Sequence, residues 1–107
     1  MDDFVFSLIK DAGGIERIAE SSNDPAEFIT GIARLKNMTL KQAAESIGMD
    51  YRHLVVVLSF VRSGKQSVST RLQYKMAKGL DIDPYLMAKV WSEWDMRRII
   101  KQESNGN

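Results

Sequence analysis

Residues 39–64 read TLKQAAESIGMDYRHLVVVLSFVRSG, and the division of this stretch into elements decides the fold. Thr39 followed three residues later by Gln42 is a capping box, so a helix opens at Leu40. Ala43, Ala44 and Ile47 give that helix a small apolar face, and Gly48 supplies the left-handed stop. Asp50 caps a second helix, in which Leu54, Val57, Leu58 and Val61 recur at i, i+3, i+4 and i+7 and share one buried stripe. Gly64 closes it. The stretch is therefore two short helices at the link Gly48-Met49-Asp50.

The same punctuation extends in both directions. Upstream, Asp24 is an N-cap, Pro25 takes the first helical position and Glu27 completes a capping box, after which Phe28, Ile29, Ile32 and Leu35 form one face. Asn37 stops that helix. Earlier still, Phe4, Val5, Leu8, Ile9 and Ala12 have helical spacing that Gly13-Gly14 is expected to end, with one more turn over Ile15 to Ala19. Downstream, Ser67 or Ser69 caps a helix bearing Leu72, Met76 and Ala77, and Gly79 reads as its stop. Asp83-Pro84 opens a long last helix through Trp91 and Trp94, followed by a polar tail, residues 103–107, expected to be disordered. Strand-type alternation is missing. The expectation is an all-α helical bundle, a single domain over residues 1–102, with an extra N-terminal helix and a long C-terminal one.

Composition narrows the function classes. The 107 residues are 44% hydrophobic and 27% charged, as in ordinary globular proteins. There is no cysteine, which excludes disulfides, thiolate metal sites and cysteine nucleophiles, and His53 as the sole histidine leaves no metal-ligand set. The longest apolar run, Leu54 to Leu58, is far below the ~20 residues of a membrane span. Met1-Asp2-Asp3 lacks the basic start of a signal peptide, so a cytoplasmic location is expected. Asp81 and Asp83 are explained by surface exposure and helix capping, and Gly13-Gly14 lacks the spacing of a phosphate loop. No enzyme, metal or cofactor is expected.

Charge is uneven. Residues 1–50 carry five Lys/Arg against nine Asp/Glu, whereas residues 51–107 carry ten against five. Between 51 and 80, Arg52, Arg62, Lys65, Arg71, Lys75 and Lys78 stand without a single acid. Such a block fits a surface that meets phosphates; the alternative is a solvated face whose counter-charges lie in the acidic half.

Met38-Thr39, Ala43-Ala44-Glu45-Ser46-Ile47-Gly48-Met49, Leu54 and Val57 together resemble the Cro/repressor-type (XRE-like) helix-turn-helix family, over roughly residues 24–83, with Lys75-Met76-Ala77-Lys78-Gly79-Leu80 matching its closing helix. The run from Asp24-Pro25 to Met38-Thr39 is similar to the antidote branch of toxin–antitoxin regulators. Two departures stand out. Where many members bury an Arg against a Glu, this chain has Ala33 and Leu58, a paired loss that leaves no stranded charge. Gly64 lies six residues after Leu58 rather than two, which implies a recognition helix about one turn longer or a different loop.

The resemblance implies duplex DNA as partner and a transcriptional regulator as function, a repressor of phage, plasmid or toxin–antitoxin type with a toxin as a further possible partner. Base contacts then fall on Tyr51, Arg52 and Val56 at the start of the second helix, since Leu54, Val57, Leu58 and Val61 point inward. Tyr51 can equally pack over the turn. Phosphate contacts fall on Thr39, Lys41, Arg62, Lys65, Gln66, Ser67 and Arg71, while Leu40 stands where the family often has a phosphate-touching Gln. His53 reads as a solvent-edge or phosphate-contacting residue. The alternative function is a helix-turn-helix reused for protein binding, with Val55, Val56 and Phe60 against an apolar partner.

Regulators of this kind usually act as pairs. On the last helix Leu86, Val90, Trp91 and Trp94 share one side, and Met96, Ile99 and Ile100 fall on another. A homodimer through Trp94, Met96, Ile99 and Ile100 is expected; the alternative is that the second side is covered within one subunit, for example by Phe4, Val5 and Phe6.

Overall fold

The computed structural model describes residues 13–65 and 67–105, and these contain helices and no strand. In chain order the helices are α1 (13–21), α2 (Pro25–Leu35), α3 (Leu40–Ile47), α4 (Tyr51–Arg62), α5 (Thr70–Gly79) and α6 (Pro84–Asn105). The chain is all-α, as its punctuation implies. The helical spacing at Phe4 to Ala12 lies outside the described residues.

The starts follow the capping residues. Asp24 accepts from the Glu27 amide at 2.8 Å, and the Glu27 carboxylate accepts from the Asn23 amide, one residue upstream of the usual reciprocal partner. Thr39 and Gln42 form the full reciprocal box, at 3.1 and 2.8 Å. Asp50 accepts from Arg52 N–H, Ser69 from Leu72 N–H and Asp83 from Tyr85 N–H. Ser67 is not the cap of α5; its hydroxyl donates to Asp95 of α6 at 2.9 Å.

The ends of α2, α3, α4 and α5 share one closure. In each, a residue with positive φ follows the last turn: Asn37 at 58°, Gly48 at 85°, Gly64 at 72° and Asp81 at 57°. Its N–H reaches back three residues and the next N–H reaches back five, as with Gly64 to Val61 and Lys65 to Phe60, both 3.0 Å. This is the Schellman arrangement, which occupies carbonyls that otherwise lack partners. The residue after the positive φ is apolar in three cases, Met38, Met49 and Ile82, and packs on the core. In α4 it is Lys65, which is exposed.

Two glycine stops expected from the sequence do something else. Gly79 lies inside α5 and Asp81 makes the closure. A Cβ at Gly79 would stand 2.5 Å from Ile47 Cα and 2.7 Å from the Ser46 carbonyl, so glycine is what lets α5 lie directly on the end of α3. Gly13 and Gly14 do not end a helix either, because both lie within α1. Gly14 faces Leu35, and Ile18 faces Gly31, a descending register that sets α1 and α2 antiparallel. Residues 103–105, expected in a disordered tail, belong to α6, which continues through Asn105.

One core unites the helices. Phe28, Ile29 and Ile32 of α2, Leu54 and Leu58 of α4, Met76 of α5, and Met87 and Trp91 of α6 are fully buried, each such side chain contributing about 1.5–3 kcal/mol by its removal from water. Ala33 and Leu58 are both in this core.

Candidate nucleic-acid interface

The turn between α3 and α4 is held from behind by α5. Ala43, Ala44 and Ile47 bury one side of α3, and Leu54, Leu58 and Val61 bury one side of α4. The closeness at Gly79 presses α5 against Ile47, and Lys75 Nζ donates to the Gly48 carbonyl at 3.3 Å. The start of α4 therefore projects from a supported base.

At that start Tyr51 is 44% exposed, Val56 is 47% exposed, and Arg52 is exposed with its backbone pinned by Asp50. The structure brings these three residues to one outward surface. Val55 and Phe60 are exposed further along α4, and a groove of about 210 Å³ is lined by His53, Val56, Val57, Phe60 and Val68. The outer side of α4 is thus cationic at its first turn and its end but apolar between them.

The residues expected at phosphates divide. Lys41, Arg62, Lys65 and Arg71 are exposed. Thr39 is exposed with its oxygen committed to the α3 cap. Ser67 is half-buried and turned toward Asp95, so it is withdrawn from the surface the sequence assigned to it. Gln66 lies outside the described residues. Among the described residues the single ion pair is Arg98 to Asp95, at 3.1 Å, so none of the six cations between 51 and 80 pairs with an acid of the described residues.

Trp94 corrects the expected dimer surface. It is buried within the subunit, meets Trp91 edge to face at 5.8 Å, and carries the Arg98 guanidinium 5.1 Å above its ring. Met96, Ile99 and Ile100 are exposed on the opposite side of α6. Two features escaped the reading of the sequence. Arg34 sits beside Thr39 in a depression at the start of α3, with no local signal marking it. Arg97, Arg98 and Lys101 gather near the end of α4, and their signal was spacing: they continue the inward stripe of Val90, Trp91 and Trp94.

No family model, curated protein or solved structure matches the chain. Among the described residues no helix is long and apolar enough to cross a membrane.

Proposed function

We propose that the chain is a sequence-specific DNA-binding regulator that places the start of α4 in the major groove. The observation that carries this reading is the outward grouping of Tyr51, Arg52 and Val56 on a supported turn, flanked by cations with no acid partner among the described residues. Arg52 suits guanine, whose O6 and N7 accept two parallel guanidinium hydrogen bonds, and Val56 suits a thymine methyl. Lys41, Arg62, Lys65 and Arg71 supply the sequence-independent attraction to the backbone. The likeness to Cro/repressor-type sequences supports the same reading and points to a repressor of phage, plasmid or toxin–antitoxin type. Two copies, joined through Met96, Ile99 and Ile100, would read a pseudo-palindrome with half-sites about 34 Å apart.

Selection of bound sequences from random duplex DNA at near-physiological salt tests the proposal. An enriched inverted repeat is expected, and Arg52→Ala should then lose ~1–3 kcal/mol on that site with relaxed preference at one position. Equal losses on selected and random duplexes would remove Arg52 from base reading.

A second reading has its own observation: Tyr51, Val55, Val56 and Phe60 leave an apolar strip exposed on α4. In that reading α4 docks a protein partner, and the selection returns no enriched sequence.

A further inference from the structure

We infer that the cleft between the end of α4 and the second half of α6 is a binding site for a phosphate group. The cleft, about 360 Å³, is lined by Arg62 from α4 and by Arg97, Arg98 and Lys101 from α6, with Trp94 at its base. The site lies outside the residues proposed to read DNA, except for Arg62.

Helical spacing explains how the cations come together. The inward side of α6 runs Met87, Val90, Trp91, Trp94, and 3.6-residue periodicity carries it on to Arg97, Arg98 and Lys101. Side chains on that line face the protein wherever there is protein to face. Here they face the closure of α4, and the apolar Met96, Ile99 and Ile100 occupy the solvent side. This inverts the ordinary amphipathic order, in which cations would lie outside.

The charges are poorly compensated. Asp24 is the carboxylate that lines the cleft with the four cations, and one of its oxygens already accepts from the Glu27 amide. Asp95 is engaged by Arg98 at 3.1 Å and by the Ser67 hydroxyl at 2.9 Å. Arg62, Arg97 and Lys101 are exposed and have no acid partner among the described residues. Arg97 and Lys101, four apart on one helix, repel each other. Arg98 is held in place by the Trp94 ring, and its Nε–H is buried without an acceptor. An anion between Arg97 and Lys101 relieves their repulsion.

The end of α4 would normally oppose an anion, because its last carbonyls form the negative end of the helix dipole. The closure removes much of that opposition. Ser63 N–H and Oγ–H, Gly64 N–H and Lys65 N–H already donate to the carbonyls of Ser59, Phe60 and Val61. Guanidinium groups then favour phosphate over chloride, since their paired N–H groups match two oxygens of a tetrahedral oxyanion. A duplex backbone or a free phosphorylated small molecule carries this group.

Inorganic pyrophosphate titrated into the full chain, with sodium chloride at matched ionic strength as control, tests the site through the indole resonance of Trp94. A saturable shift is expected, weakened about tenfold or more in Arg97→Ala/Lys101→Ala, which lacks two charge-assisted contacts. Both residues are exposed, so far-UV circular dichroism should be unchanged. No saturable shift, or the same affinity in the double variant, overturns the site. The salt dependence of duplex binding separates the two sources. A slope flattened in the double variant supports the DNA backbone as the source, whereas an unchanged slope with weakened pyrophosphate binding supports a free phosphate compound. A parent that binds pyrophosphate but no duplex keeps the site and rejects the DNA reading.

Discussion

The two halves of α6 belong to one continuous helix, yet they are used in opposite ways. From Pro84 to Trp94 the inward side is Met87, Val90, Trp91 and Trp94, all buried against the bundle. From Asp95 to Asn105 the same line carries Arg97, Arg98 and Lys101, and the apolar residues move to the outside. The helix does not bend its pattern at random. After Trp94 it stops supplying core side chains, and its inward line meets the end of α4 with cations instead. Apolar periodicity thus reports burial only while a partner lies underneath; beyond that point it reports what the helix offers to others.

Substitutions in the first half should be felt as stability and those in the second as association. Trp91→Ala should destabilise the fold by about 3–5 kcal/mol in urea unfolding, because Trp91 is fully buried at the centre of the first half. A loss below 1 kcal/mol would mean that this half is not core. Gly79→Ala extends the test to the backbone contact beneath α4: with Ile47 Cα 2.5 Å from the added Cβ, about 2–3 kcal/mol should be lost. The second half should behave differently. Ile99→Glu with Ile100→Glu, measured at a concentration where the parent is monomeric, should change stability by less than about 0.5 kcal/mol. Sedimentation equilibrium at higher concentration should show the parent as a dimer and the double variant as a monomer. A parent monomeric throughout would remove the dimer, and a dimeric folded variant would move the interface elsewhere.

A small effect of opposite sign is expected at the closure that leads into α6. Asp81 holds φ at 57°, which a side chain tolerates at some strain. Asp81→Gly should therefore raise stability by about 0.5 kcal/mol, the strain relieved being partly offset by the greater freedom of the unfolded glycine. Thermal unfolding at one protein concentration checks the sign.

The helix starts were legible because each is written within three or four residues: Asp24, Thr39 with Gln42, Asp50 and Asp83 all cap where their spacing to the next apolar run implies. The outward grouping of Tyr51, Arg52 and Val56 was legible from the same period. Glycine was harder to read, since local sequence cannot separate a stop from a close approach. Gly48 and Gly64 are stops, but Gly79 answers to Ile47 and Gly14 to Leu35, partners 32 and 21 positions away. Ser67 was misplaced for a similar reason, its hydroxyl having been drawn to Asp95. Arg97 and Lys101 look like ordinary surface charges until the end of α4 is set beside them.

The four shared helix closures bear on how quickly the chain finds its fold. Each is formed by residues within six positions of one another, so the points where the path reverses direction can be specified before distant helices meet. A chain whose bends are local has little loop entropy to lose on the way to its native contacts, and helical proteins of this kind fold in about microseconds to milliseconds. The closure at Gly64 and Lys65, alone of the four in having no apolar residue to anchor it, is then the bend that gains least from the forming core.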